Sequence, residues 1–136
     1  MNDKIFADTN ILVYSVSNDR RKRTIADELL MKHEIVISPQ VVSEFVAVTL
    51  RKKILPPQKV VEYAKQFMHV FQTTVMTKKT IVSALDIMTK YQFSYWDSLI
   101  LAAALESACT WLYSEDLQDG QQIENTLTIR NPFNQP

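Results

Sequence analysis

The chain has 136 residues, of which 46% are hydrophobic and 22% are charged, a balance typical of a globular domain rather than of a disordered chain. Fifteen basic and fifteen acidic residues cancel, which excludes the uniformly basic surface of a sequence-independent DNA-binding protein. No apolar run reaches the roughly 18 residues of a membrane span, and the polar start does not resemble a signal peptide, so we expect one cytoplasmic domain over residues 1–136.

Short apolar runs alternate with helical patterns along the chain. The runs at residues 5–7 and 35–37 are not interrupted by polar residues, which is typical of strands buried on both faces. Predicted strands cover residues 5–7, 35–37, 111–113 and 126–130, with a short edge strand at 73–76. Helices are predicted from a cap at Asn18 or Asp19 through residues 24–31, and at 39–51, 57–71 and 99–108, with a short helix or turn at 11–16 and a further helix after the cap Thr77. That further helix is predicted to turn Ile81, Leu85 and Met88 toward the core. The alternation predicts a three-layer α/β/α sandwich around a mainly parallel sheet.

Several residue counts exclude common kinds of catalytic site. Gly120 is the only glycine, whereas a Walker loop or a dinucleotide-binding loop needs two or three. His33 and His69 are the only histidines, and neither has a partner at zinc-ligand spacing. The two tight basic clusters, at residues 20–23 and 51–53, are more typical of solvated helix faces than of phosphate sites. If the protein handles phosphate, other side chains or a metal ion must therefore neutralise its charge.

Four acidic residues fall at points that a parallel sheet would bring to one edge. Asp8 ends the first predicted strand, and Asp116 follows the strand at 111–113. Asp97 precedes the last predicted helix. Glu44 lies at the border of the inward face of the helix predicted at 39–51. Ligands of open α/β sheets bind beyond the carboxyl ends of the strands. This edge is therefore where we expect functional acids.

Each of these acids also has a purely structural explanation. The segment after Asp8 can begin a helix with Thr9 or Asn10 as its N-cap. Ser94 and Asp97 have the spacing of a capping box. A lone glutamate at the border of a helix face is usually a surface residue. The functional interpretation therefore depends on whether the four carboxylates converge in space.

Converging carboxylates would repel one another and raise each other's pKa values unless a cation lay among them. Oxygen ligands without histidine or thiolate select Mg²⁺ or Mn²⁺. Such an ion lowers the pKa of a bound water and neutralises charge on a phosphodiester. The hypothesis is therefore a Mg²⁺ or Mn²⁺ site at Asp8, Glu44, Asp97 and Asp116.

The acids belong to short motifs whose order and spacing extend over nearly the whole chain. These motifs are Asp8-Thr9-Asn10, Ser43-Glu44-Phe45, Tyr95-Trp96-Asp97-Ser98, Ser114-Glu115-Asp116 and Asn131-Pro132-Phe133. In this respect the chain resembles the PIN-domain ribonucleases, and among them the VapC-type toxins of toxin–antitoxin pairs. The resemblance implies a single PIN domain with a PIN-like three-layer α/β/α sandwich.

The resemblance also implies an activity and partners. The activity is that of a Mg²⁺- or Mn²⁺-dependent endoribonuclease, the toxin of a type II pair, whose four acids correspond to Asp8, Glu44, Asp97 and Asp116. Thr9 would support the metal shell through its hydroxyl. Asp119 could share the role of Asp116 as the fourth acid or replace Asp116 in it. The implied partners are an RNA substrate, an antitoxin protein that blocks the acids, and a second copy of the chain in a homodimer.

Two other functions are compatible with parts of the sequence. One is a catalytically idle PIN-like module whose acids only cap helices and whose role is to bind proteins. The other is a haloacid-dehalogenase-like phosphatase, which would need a second acid two residues after Asp8. Asn10 occupies that position. The sequence does not indicate which RNA would be cleaved.

Overall fold

A six-stranded sheet forms the centre of the computed structural model, which describes residues 3–134. The strands are β1 (Lys4–Ala7), β2 (Glu34–Ile37), β3 (Gln72–Thr73), β4 (Trp111–Tyr113), β5 (Gln122–Ile123) and β6 (Leu127–Arg130). Their order is β3-β2-β1-β4-β6-β5, and every neighbouring pair is parallel except β5 and β6. Residues 1, 2, 135 and 136 of the predicted domain lie outside the described residues.

Helices cover both faces of this sheet. They are α1 (Thr9–Ser15), α2 (Arg20–Lys32), α3 (Pro39–Arg51), α4 (Pro57–Val70), α5 (Lys78–Tyr91) and α6 (Tyr95–Glu106). The chain moves outward from β1 to β2 and β3 and then returns to the other side of β1 for β4. Because crossovers between parallel strands are right-handed, this reversal puts the helices of the two halves on opposite faces. The predicted three-layer sandwich is confirmed.

Two of the helices begin at capping residues that the sequence predicted. Ser38 Oγ accepts a hydrogen bond from Val41 N at 3.3 Å, with Pro39 in the first turn of α3. Thr77 and Thr80 form a capping box at the start of α5. Within residues 3–134, no helix is long and apolar enough to cross a bilayer.

The predicted inward face of α5 is wrong by about one position. Ile81 and Leu85 are 37% and 43% exposed, whereas Thr80, Ala84 and Ile87 are buried. α5 packs against α6, and the small side chains of Thr80 and Ala84 are buried together with Ile87, whereas Ile81 and Leu85 are left outside. Large apolar side chains therefore remain on the surface of this helix.

Two short strands differ from the prediction. β3 is limited to Gln72–Thr73 instead of residues 73–76, because the ladder with β2 ends where Thr74 N donates to Ile37 O. β5 was not predicted, since Gln122–Ile123 lacks an apolar run. It pairs with β6 through a tight turn in which Glu124 and Asn125 have φ values of 51° and 58°. Two consecutive positive φ values are typical of a type I′ turn.

Candidate metal centre

Polar side chains meet where the strand order of the sheet reverses. β1 and β4 are parallel neighbours with Ala7 opposite Tyr113, so the residues that follow them, Asp8 and Ser114, lie side by side. Asp8 N donates to Tyr113 O at 3.0 Å, which extends the ladder by one bond. A crevice at the carboxyl ends of strands, at such a reversal, is the usual ligand site of open α/β sheets.

A cleft of about 570 Å³ opens at this point. Its walls come from α1, α3, the start of α6 and the segment after β4. All four predicted acids line it: Asp8, Glu44, Asp97 and Asp116. Four segments that are distant in sequence thus contribute carboxylates to one cavity.

Asp8 is the most buried of these acids, with 7% of its surface exposed. Its Oδ1 accepts from Thr9 N at 2.7 Å, and its Oδ2 accepts from Ser114 Oγ at 2.8 Å. Asp8 itself is therefore the N-cap of α1, and the prediction that Thr9 or Asn10 caps this helix is wrong. Burial raises the pKa of Asp8 to about 6; the two hydrogen bonds lower it, and the charges of Glu44 and Asp116 raise it further.

Glu44 is held by contacts from two directions. Thr9 Oγ1 donates to Glu44 Oε1 at 2.6 Å. Gln40, one turn earlier on α3, donates from Nε2 to Glu44 Oε2 at 3.4 Å and to the backbone oxygen of Trp96 at 3.1 Å. The hydroxyl of Thr9 therefore fixes the glutamate, and Gln40 joins α3 to the start of α6.

Asp97 lies in the first turn of α6. Its backbone N donates to Ser94 Oγ at 3.1 Å, so Ser94 is the N-cap, as the capping pattern predicted. Burial raises the pKa of the Asp97 carboxyl, the Ser94 hydroxyl lowers it, and the charges of Asp116 and Glu44 raise it. The carboxylates are thus close enough to influence one another.

Asp116 is positioned by residues from two segments. Asn10 Nδ2 donates to Asp116 Oδ2 at 3.2 Å, and Asn10 Oδ1 accepts from Glu115 N at 3.1 Å. Asp116 N donates to Ser114 Oγ at 3.2 Å. Ser114 is fully buried and joins Asp116 to Asp8 through one hydroxyl.

Asp119 does not share this position. Its Oδ1 accepts from Asn131 N at 3.0 Å and lies 3.8 Å from Arg130 Nε. It is not among the described residues that line the cleft. Its contacts therefore do not support the expectation that it could replace Asp116.

Comparison with known families identifies the fold. The model of the PIN domain family matches residues 5–118. This chain belongs to the PIN domain family. No curated protein matches the chain.

Solved structures of similar fold come from several bacteria. A toxin–antitoxin complex from Klebsiella pneumoniae has 18% sequence identity and a TM-score of 0.71, covering 94% of this chain and 97% of that chain. VapC20 of Mycobacterium tuberculosis, described as a Sarcin-Ricin loop cleaving toxin, has 16% identity and a TM-score of 0.69 over 82% of this chain and 91% of that chain. VapBC2 from Rickettsia felis, bound to a promoter DNA fragment, has 18% identity and a TM-score of 0.67 over 94% and 99%. All three share the fold of this PIN domain.

The donor set of the PIN domain cleft is chemically suited to a hard cation, because it consists of carboxylate oxygens without histidine or thiolate. Among the described residues, however, no three acids, histidines or cysteines lie together as a ready ligand cage. Mg²⁺ commonly binds through one or two carboxylates and keeps several waters. An open set of acids is compatible with that mode of binding.

The sequence did not single out three of the residues that position these acids: Asn10, Gln40 and Ser114. Asn10 and Ser114 lie inside the motifs that carry the resemblance, directly beside the predicted acids. Gln40 is one helical turn before Glu44. Their proximity to the acids was the available signal, but their hydrogen bonds depend on the tertiary fold.

Replacing Ser114 by alanine should raise the pKa of Asp8 above its value of about 6, because the hydroxyl that stabilises the ionised form is removed. The loss should also destabilise the fold by about 1–3 kcal/mol, since Asp116 N loses its buried acceptor as well. Carboxyl-detected NMR titration of the metal-free protein measures the pKa. Ser15→Ala is the matched control, since Ser15 is a buried serine whose hydroxyl donates to Leu12 O instead. The same Asp8 titration in both variants would contradict the assignment.

Proposed function

We propose that this protein is a Mg²⁺- or Mn²⁺-dependent endoribonuclease of the VapC type, the toxin of a type II toxin–antitoxin pair, with one PIN domain over residues 1–136. The observation that carries the proposal is the presence of four carboxylates from four separate segments in one cleft of a PIN fold. The description of the similar VapC20 as a Sarcin-Ricin loop cleaving toxin supports an RNA substrate.

In this proposal Asp8, Asp97 and Asp116 hold one or two divalent ions. When bound, the cation lowers the pKa of a water and neutralises charge on the phosphodiester. Glu44, fixed by Thr9 and Gln40, helps to hold the ion or orients the attacking water. In-line attack of water oxygen on phosphorus breaks the bond to the 3′ oxygen, which leaves a 5′-phosphate and a 3′-hydroxyl.

The ionisation of Asp8 fits this role. With a pKa of about 6, the carboxyl is mostly ionised at pH 7.5, although no described cation pairs with it. Burial and the neighbouring charges of Glu44 and Asp116 make the ionised state unfavourable. A divalent ion would relieve this, so the cleft favours a cation at neutral pH.

The alternative is a catalytically idle module that binds proteins, and two observations agree with it. The acids do not form a closed ligand cage among the described residues, and Asp8 also caps α1. Metal binding discriminates between the two functions.

Calorimetric titration with Mn²⁺ should give a binding heat in the native protein that disappears in Asp8→Asn. Asp119→Asn is the matched control, since it removes the same group outside the cleft and should bind Mn²⁺ as the native protein does. An idle module would give no binding heat in any of the three proteins. Equal heats in all three would contradict the proposed ligands.

The proposed partners are an antitoxin and a second copy of the chain. The similar structure from Klebsiella pneumoniae is a toxin–antitoxin complex, which supports an antitoxin partner. In this proposal the antitoxin is cytoplasmic and covers the acids. Val61 and Val70 of α4 and Val82 of α5 are each more than half exposed. Exposed apolar side chains on each of these helices support a homodimer, which the mass in solution from light scattering would test.

A further inference from the structure

The cleft that holds the four acids also has a positively charged end. Arg51 and Lys52, at the end of α3, line the same cavity as Asp8 and Glu44. They are the only cations among its described lining residues. Both are exposed, and no ion pair between described side chains includes either of them. Two cations without a carboxylate partner therefore lie on the wall of an acidic cleft.

The spacing along α3 separates these charges. Glu44 and Arg51 are seven residues apart on one helix. At 1.5 Å per residue this is roughly 10.5 Å along the axis, and nearly two full turns bring both residues to the same side. The separation is close to the Debye length of about 8–10 Å, so salt screens each charge from the other. The two ends of the cleft therefore keep electrostatic potentials of opposite sign. The cleft has a negative end at the strands and a positive end at the end of α3.

The third member of the basic cluster differs from the other two. Lys53 has a φ of 53° and lines a neighbouring apolar groove with Leu55 and Pro56 instead of the acidic cleft. Lys22, on α2, forms an ion pair with Glu115 and donates a hydrogen bond from Nζ to the hydroxyl of Tyr14. Within the described structure, Arg51 and Lys52 are thus the cations available to a ligand in the cleft.

We infer that Arg51 and Lys52 bind a backbone phosphate of single-stranded RNA that flanks the phosphate to be cleaved. The inference rests on the proposed function and adds a site for substrate outside the acids. An anionic chain is repelled by four carboxylates, so it needs a cationic contact to enter. Arginine offers a bidentate fork to phosphate and lysine a point charge. The distance between the two ends makes this phosphate a neighbour of the reacting one, not the reacting one itself.

Arg51 also has a structural explanation. A cation in the last turn of a helix interacts favourably with the macrodipole. That role would affect the stability of α3 without any effect on RNA affinity. RNA binding and its salt dependence therefore discriminate between the two roles.

The test measures binding of a fluorescein-labelled oligouridine by anisotropy over a series of KCl concentrations. Asp8→Asn is used as the background so that the RNA stays intact, which a gel verifies. Adding R51Q and K52Q should weaken binding about tenfold or more at low salt. It should also reduce the slope of log affinity against log salt by roughly 0.7 for each phosphate that the protein no longer neutralises. The pair K78Q and K79Q on α5 is the matched control, because it removes two adjacent exposed lysines outside the cleft and should leave the slope unchanged.

The outcomes separate this inference from the proposed function. If R51Q/K52Q and K78Q/K79Q give the same slope and affinity, the phosphate site is wrong, even where cleavage depends on Asp8. If R51Q/K52Q alone reduces the slope, the phosphate site is supported, even where the native protein gives no binding heat with Mn²⁺. Denaturant unfolding of each variant verifies that the fold is intact. A loss of stability with unchanged RNA binding would assign Arg51 to the helix end alone.

Discussion

Replacing Asp8 by asparagine should lower RNA cleavage about 1,000-fold while leaving the fold intact. Asparagine has nearly the same shape and keeps an oxygen that can accept from Thr9 N. It removes the negative charge at the centre of the cleft, where Glu44 and Asp116 also act on Asp8. Metal-assisted charge stabilisation contributes several kcal/mol to such reactions, and each 1.36 kcal/mol corresponds to a factor of ten in rate.

The measurement compares initial rates on a labelled RNA with Mg²⁺ present, and mapping of the product ends verifies the 5′-phosphate. Asp119→Asn controls for the loss of one carboxylate and should retain its activity, because Asp119 interacts with Arg130 and Asn131 outside the cleft. Addition of a chelator should abolish cleavage in both the native protein and this control. Undiminished cleavage by Asp8→Asn would show that the catalytic assignment is wrong.

The order of strands and helices could be predicted because local signals agree with the tertiary structure. Residues 5–7 and 35–37 are unbroken apolar runs, and both are buried strands. Ser38 and Thr77 mark the starts of α3 and α5 as capping residues do. The parallel sheet then follows from the alternation of these elements.

The face of α5 could not be predicted because side-chain hydrophobicity does not decide it. The buried positions Thr80 and Ala84 are small, and close packing against α6 selects them over Ile81 and Leu85. β5 was missed for a related reason. Its two residues are ordered by pairing with β6 rather than by their own apolar pattern.

The sequence indicated at which edge of the sheet the acids would lie but not how their side chains are linked. Asp8 and Asp116 follow neighbouring strands, so their approach follows from strand order. The bond from Thr9 to Glu44 spans 35 residues, and the bond from Ser114 to Asp8 spans 106. Such contacts require the packing of α1 against α3 and the pairing of β1 with β4, which no local pattern contains.

Asp8→Asn should also stabilise the metal-free protein at pH 7.5. Folding raises the pKa of Asp8 from 3.8 to about 6, so the folded state binds the proton more tightly than the unfolded state. The contribution of Asp8 to stability is therefore highest below pH 3.8 and is lost as the pH rises through about 6. At 1.36 kcal/mol per pH unit, the ionised carboxylate destabilises the native fold by roughly 3 kcal/mol at pH 7.5. Asparagine carries no charge and avoids this penalty. Its side-chain amide would, however, compete with Asn10 Nδ2 and Asp116 N for Ser114 Oγ, and this competition costs about 1 kcal/mol.

We expect the free energy of unfolding of Asp8→Asn to exceed that of the native protein by about 2 kcal/mol at pH 7.5. At pH 4 this difference should be smaller by roughly 2 kcal/mol. Urea unfolding in the presence of a chelator measures both values. Asp119→Asn should not reproduce the trend, because its carboxylate is exposed and lies beside Arg130. Saturating Mn²⁺ should reverse the order, since an ion that binds only the native fold stabilises the protein that retains Asp8. A difference between Asp8→Asn and native protein that does not change with pH would mean that folding does not raise the pKa of Asp8.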